Sequence, residues 1–188
     1  MTAPQSLGRP RPAKLSVDDF LVLDRSGAFE RYGKSELIDG RVYVMNAQHR
    51  AHARAKTRLA FALMTALKGI EGLEAVIEGA VEIPPRSVPE PDIVVTGEPD
   101  GEGLIPLASV RQIVEVSDST LKADLGKKAR LYAVAGVPEY WVLDLAARKL
   151  HQHWSPGAKG YGQRREVTLG QSIEAATIAG LQVETQGI

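Results

Sequence analysis

The chain has 188 residues, no cysteine, and 23 basic against 23 acidic side chains. Its 44% hydrophobic and 24% charged content excludes a wholly disordered chain, and the missing cysteine excludes a disulfide scaffold, a thiol nucleophile and a cysteine zinc site. With a net charge of zero, any affinity for a polyanion must come from local basic surface rather than from the overall field.

No apolar run reaches the roughly 18–20 residues that span a bilayer, and the first residues lack the apolar core of a secretory signal. A cytoplasmic protein with no membrane partner is expected. Residues 1–14, with three prolines and the basic residues Arg9, Arg11 and Lys14, read as a flexible tail, and 15–188 as a single domain. Ser16, with Asp19 three residues on, starts a helix whose apolar faces come from Phe20, Leu21 and Leu23. Asp39-Gly40 between two apolar runs within Glu36–Met45 is a two-residue hairpin turn. From His49 to Lys68 the period becomes helical, with a stripe of Ala55, Leu59, Ala62, Leu63, Ala66 and Leu67 ended by Gly69. Strands are predicted over 74–83 and 92–96, followed by a Gly/Pro/acidic loop over 97–106. Another strand is predicted over 113–117, then a helix over 122–135 closed by Gly136. Strands over 139–144 and 148–154 and short C-terminal strands complete the chain. This order predicts an α/β (α+β) fold with a mixed central β-sheet flanked by helices.

Most catalytic signatures are missing: there is no GxGxxG, GxxxxGK[ST], HExxH or GxSxG. His151 and His153 share a strand face, but two ligands without a third fall short of a metal site, and an exposed polar face is the plainer reading. The acidic residues on strands say more. Asp92 opens the apolar run Ile93-Val94-Val95, where a turn role is the ordinary explanation. Glu115 lies inside Ile113-Val114-Glu115-Val116, where an ionised carboxylate needs compensation by a buried cation or a metal. On neighbouring strands the two carboxylates would suit one hard divalent cation. Asp124, Lys128 and Tyr132 recur every four residues on one helix face. They form either a solvated i,i+4 salt bridge or a device that aims Lys128 over the carboxylates.

The ordered series Glu36-Leu37-Ile38-Asp39-Gly40, His52, Pro91-Asp92, Val114-Glu115-Val116-Ser117, Asp124…Lys128…Tyr132 and Gly136-Val137-Pro138-Glu139-Tyr140-Trp141 resembles the Uma2 family. The resemblance covers roughly residues 15–165. That family is placed in the PD-(D/E)XK nuclease superfamily, with the restriction-endonuclease-like fold. The resemblance implies that Asp92 and Glu115 hold Mg²⁺ or Mn²⁺. It implies catalytic roles for Asp92, Glu115 and Lys128, with Glu36 as an added carboxylate and His52 orienting substrate or water. The superfamily motif places a lysine two residues after the glutamate. Here Ser117 stands in that place, and Lys128 on the next helix matches the family's lysine. The implied activity is endonucleolytic hydrolysis of nucleic acid, with DNA as the expected substrate. The alternative is a catalytically idle nuclease-like domain that binds nucleic acid or a protein partner. Arg50, Arg54 and Arg58, or the basic tail, would supply phosphate contacts. Tyr140, Trp141, Trp154 and Tyr161 are candidates for an apolar patch in a homodimer.

Overall fold

The structure, a computed structural model, describes residues 12–45 and 47–188. Helix α1 (Val17–Arg25) begins with a reciprocal capping box between Ser16 and Asp19, as the sequence predicts. The hairpin of β1 (Ser35–Ile38) and β2 (Arg41–Val44) follows. Asp39 and Gly40 both take positive φ, 49° and 74°, the backbone a two-residue turn between right-twisted strands requires. Helix α2 (Arg50–Leu67) places the expected apolar stripe inward, with Leu59 and Leu63 wholly buried.

The run predicted as one strand over 74–83 is two strands, β3 (Glu74–Ile77) and β4 (Val81–Glu82). Glu78 breaks it by turning into the left-handed region at φ 57°. Gly79 then passes so close to Ile105 that a Cβ there would lie 2.6 Å from its Cδ1. The turn peels β4 away from β3 to pair with β6 (Ile105–Pro106). Between them lies β5 (Ile93–Thr96), and after them β7 (Val110–Ser117), which starts three residues earlier than predicted. The helix after β7, here α3, consists of Leu121–Ala123, a π-helical turn over Asp124–Lys128, and Ala129–Ala135. It ends at Gly136 in the left-handed conformation. The chain finishes with β8 (Glu139–Asp144), β9 (Lys149–Trp154), β10 (Gln163–Thr168), β11 (Ser172–Glu174) and β12 (Gln182–Glu184).

The central mixed sheet has the order β10-β9-β8-β7-β5-β3. Only the β7–β8 pair is parallel, and α3 makes the crossover between them. Alternation along the strands sorts the core onto two faces. Leu59, Leu63 and Leu67 of α2 pack with Ile93, Val95, Val114, Val116, Trp141 and Leu143 and with the β11–β12 hairpin. Ala129, Tyr132 and Ala133 of α3 pack on Val94, Ile113, Tyr140 and Val142. A smaller cluster joins Val17 and Phe20 of α1 to Leu37 and Val88.

Tyr140 and Trp141 are therefore core residues with no exposure, and the apolar dimer patch expected from them does not form. The Trp141 indole donates to the wholly buried Glu139 carboxylate, which also accepts from Thr177 N at 2.8 Å and Ala176 N at 3.0 Å. That carboxylate ties the C-terminal segment to the sheet. Lys14, assigned to the flexible tail, pairs with Asp39 beside the hairpin turn. Arg9 and Arg11 lie outside the described residues. His151 and His153 do not form an exposed face. His151 lies between Asp144 at 3.9 Å and Glu166 at 3.5 Å, while His153 packs on Tyr140 and Tyr161.

Two outcomes follow from the packing. Leu63→Ala removes a wholly buried side chain between α2 and the sheet and should cost about 2–5 kcal/mol, read as a lower midpoint in urea. Burial pushes the His153 imidazole down to about 4, whereas the unfolded chain takes up that proton near the ordinary value of about 6.5. Protons then favour the unfolded chain between these values, so stability falls as the pH drops from 6.5 toward 4. Because the ring is only partly enclosed, the loss should be about 1–2 kcal/mol. His153→Phe should remove that part of the slope in a pH series of denaturation curves.

Candidate functional site

The site is built at one end of the β5–β7 pair. Ile93 pairs with Val114 across antiparallel strands, so Asp92 and Glu115 occupy the next facing positions and share the α3 side of the sheet. Both are buried. The strands also lock one carboxylate directly: the Val116 backbone N–H donates to Asp92 Oδ2 at 2.8 Å. Glu36 enters from β1, where alternation sends Leu37 into the small core and leaves Glu36 on the opposite face. It too is buried.

Cations come from the helices. Lys128 Nζ lies 3.0 Å from Glu115 Oε1 and 3.3 Å from Glu36 Oε2. Tyr132, one helical turn on, donates to the same Glu115 oxygen at 3.0 Å. The i,i+4 salt bridge with Asp124 is not made. Asp124 instead accepts a hydrogen bond from Thr120 at 2.6 Å, and the π-helical turn Asp124–Lys128 carries Lys128 toward the sheet. A π turn adds one residue to the helical circuit, which re-aims the side chain that follows. From α2, His52 Nε2 lies 3.3 Å from Asp92 Oδ2. Thus Glu36, His52, Asp92, Glu115 and Lys128, drawn from five elements, meet in one cluster. Ser117 is also buried, 3.3 Å from the Thr120 hydroxyl, and brings no charge.

Burial drives the Glu115 carboxyl well above the usual carboxylate range; the Lys128 ammonium opposes the rise and Asp92 adds to it. For Lys128, burial alone would lower the pKa. The charges of Glu115 and Glu36 outweigh it and hold the ammonium above the ordinary lysine range. Lys128 therefore keeps its proton, and Glu115 is the member of the pair that takes one up more readily. The Asp92 hydrogen bond raises His52 against its partial burial.

The sequence reading did not find Lys56. It follows His52 by one helical turn, is buried, and reaches Glu78, Gln48 Oε1 at 2.7 Å and Asp92 Oδ1 at 3.6 Å. Its signal was a lysine set among Ala55, Leu59 and Ala60 on the inward face of α2. That position demands a buried partner.

The donor set suits a hard divalent ion. Both hydrogen bonds of Glu115 fall on Oε1, so Oε2 remains for another ligand, and Glu36 Oε2 is buried without a hydrogen bond. Among the described residues no three acidic or histidine side chains form a ready metal cage. Magnesium is nevertheless commonly held by one or two carboxylates, with water and substrate phosphate completing its shell.

The family model of Uma2, described as "Putative restriction endonuclease", matches residues 17–186. A solved structure described as "a putative nuclease belonging to DUF820 from Anabaena variabilis ATCC 29413" aligns with a TM-score of 0.65 at 17% identity. The alignment covers 86% of this chain and 89% of that one. At that identity the likeness establishes the shared fold. No curated protein matches the sequence.

Lys128→Met should leave Glu36 and Glu115 buried without the cation they share, so that Glu115 holds its proton more firmly still. The expected loss is about 3 kcal/mol, within the range for removing one partner of a buried pair, measured by urea denaturation in EDTA.

Proposed function

Because the chain belongs to the Uma2 family, we propose that it is a metal-dependent endonuclease that hydrolyses phosphodiester bonds of DNA. The observation that carries this reading is the meeting of Asp92 and Glu115 on adjoining strands with an ammonium delivered by α3. Asp92 and Glu115 would hold Mg²⁺ or Mn²⁺. Such an ion, when bound, lowers the pKa of a coordinated water and offsets charge developing on the phosphate.

The remaining work falls to the chain's own residues. Lys128 is held protonated, so it acts as a hydrogen-bond donor and positive charge toward the attacking water or a phosphoryl oxygen, and not as the proton acceptor. Glu36 keeps Lys128 from lying wholly on Glu115 and shares its charge. His52 contacts Asp92 rather than open solvent, so its part is to fix that carboxylate. Backbone phosphates would be met by Arg50 and Arg54, exposed on the α2 turn that carries His52. Arg58 is less available, because it donates to the Gly187 carbonyl at 2.7 Å. A homodimer would suit a double-strand cut. No helix among the described residues is long and apolar enough to cross a membrane.

A second reading, an idle domain that binds nucleic acid or a protein partner, draws support from one feature. Lys128 already satisfies Glu115, and Ser117 stands where the superfamily motif has its lysine. The two readings part in one assay. The nuclease reading expects nicking of supercoiled plasmid in Mg²⁺ or Mn²⁺ that stops in EDTA. It also expects Asp92→Ala and Lys128→Met to lose about two orders of magnitude or more in rate. DNA binding by folded wild type without cleavage in either metal would favour the idle domain.

A further inference from the structure

Lys56 has no place in the reaction as just described, yet it is among the most enclosed charges in the molecule. Its side chain is 8% exposed. Three oxygens from three parts of the chain converge on its Nζ: Gln48 Oε1 from the segment before α2, Glu78 Oε1 from the turn that splits β3 from β4, and Asp92 Oδ1 from the mouth of β5. The ordinary use of a buried lysine is one ion pair, and Glu78 alone would provide it. Here Glu78 is itself held on its far oxygen by Lys34, which also reaches Glu90 at 2.7 Å. Lys34 and then Lys56 hold the Glu78 carboxyl down to about 2. Its carboxylate is clasped between two ammonium groups, Lys34 on Oε2 and Lys56 on Oε1. Gln48 adds a second contact within the cage, donating its amide to Glu78 Oε1 at 3.3 Å.

Two carboxylate oxygens and one amide oxygen around a single cation form the donor set that a hard divalent ion takes. One of those oxygens belongs to Asp92, whose Oδ2 side faces His52 and the Val116 N–H. Hydrolases of phosphate esters often use two ions about 3.5–4 Å apart that share a carboxylate. In this chain the ammonium stands beside that carboxylate, 3.6 Å from Asp92 Oδ1, while also contacting Gln48 and Glu78.

We propose that Lys56 is a resident cation in the place a second divalent ion would take, so that the site accepts one metal per chain. Lys56 is a positioning residue: it fixes the outer oxygen of Asp92 and closes the Gln48–Glu78–Asp92 cage to metal. This rests on the reading of Asp92 and Glu115 as the holders of the first ion. A merely structural lysine would affect stability alone, whereas a resident cation sets the metal count.

The test is calorimetric titration of Mn²⁺ into metal-free protein, with thermal melting of the same samples in EDTA and in millimolar Mn²⁺. Wild type should bind one ion, and Lys56→Ala two. The double variant Lys56→Ala/Glu78→Gln should return to one. Lys56→Ala should also gain more thermal stability from Mn²⁺ than wild type does. If it folds only when Mn²⁺ is present, and not in sodium chloride of equal ionic strength, the ion has replaced the ammonium and the proposal stands. Two ions in wild type would overturn it. So would one ion in Lys56→Ala at unchanged affinity, or a Lys56→Ala chain that folds with neither metal nor salt. A wild type that binds no Mn²⁺, or an Asp92→Ala variant that binds it unchanged, overturns the first site and this proposal with it. That result is distinct from failure at Lys56, where the first ion is still seen.

Discussion

A carboxylate carried into a β-sheet core loses its water, and the fold must return an opposite charge or leave the proton on. Glu36, Asp92 and Glu115 are all buried at one end of the sheet. Three basic side chains come to meet them: His52 and Lys56 from α2, and Lys128 from α3. Much of the surrounding structure is arranged to make that meeting possible. The two faces of the sheet carry the two helices. The antiparallel register of β5 and β7 sets the carboxylates opposite one another, and the β1–β2 hairpin brings in the third.

The means of delivery differs between the helices, and the difference is physical. On α2, His52 and Lys56 are four residues apart, so an ordinary helix stacks them along one side of Asp92. On α3 an ordinary helix would have placed Asp124 beside Lys128 as an ion pair. The π-helical turn breaks that pairing, frees Lys128 for Glu115 and Glu36, and leaves Asp124 to Thr120. Tyr132 fixes the result, since its hydroxyl and the ammonium share one carboxylate oxygen. A π turn has weaker hydrogen bonding than the α-helix around it. The turn is what brings the Lys128 ammonium within reach of both Glu115 and Glu36.

The main elements could be read from local sequence because their signals are local: a capping box at Ser16, Asp39-Gly40 at the hairpin, a helical period over α2, and Gly136 as a stop. The carboxylates at Asp92 and Glu115 were legible as charges in apolar strands, and Lys128 through the resemblance. Three things were not. The break at Glu78 depends on how closely Gly79 passes Ile105, a contact between segments distant in sequence. The π turn depends on the tertiary attraction of Lys128 to the sheet. Lys56 looked like one more basic residue on a basic helix, since its partners Glu78 and Asp92 lie 22 and 36 residues away in sequence. Tyr140 and Trp141 erred the other way: in a parallel pair covered on both faces, aromatic strand residues are core.

The charge balance within the cluster is uneven. On the α2 side, Glu78, Glu90 and Asp92 face Lys34, Lys56 and His52, one basic group for each carboxylate. On the α3 side, Glu36 and Glu115 share the single ammonium of Lys128. The deficit of positive charge therefore lies at Glu115 and Glu36, next to Asp92. Burial holds the proton on Glu115 more firmly than on an ordinary carboxylate; Lys128 opposes this and Asp92 adds to it. An added cation is most favourable where such a deficit exists, because it removes the cost of ionising a buried acid as well as gaining its own attraction. On the reading proposed above, the sheet end is tuned to one further cation, and the place for it is between Asp92 and Glu115 rather than in the cage that Lys56 already fills.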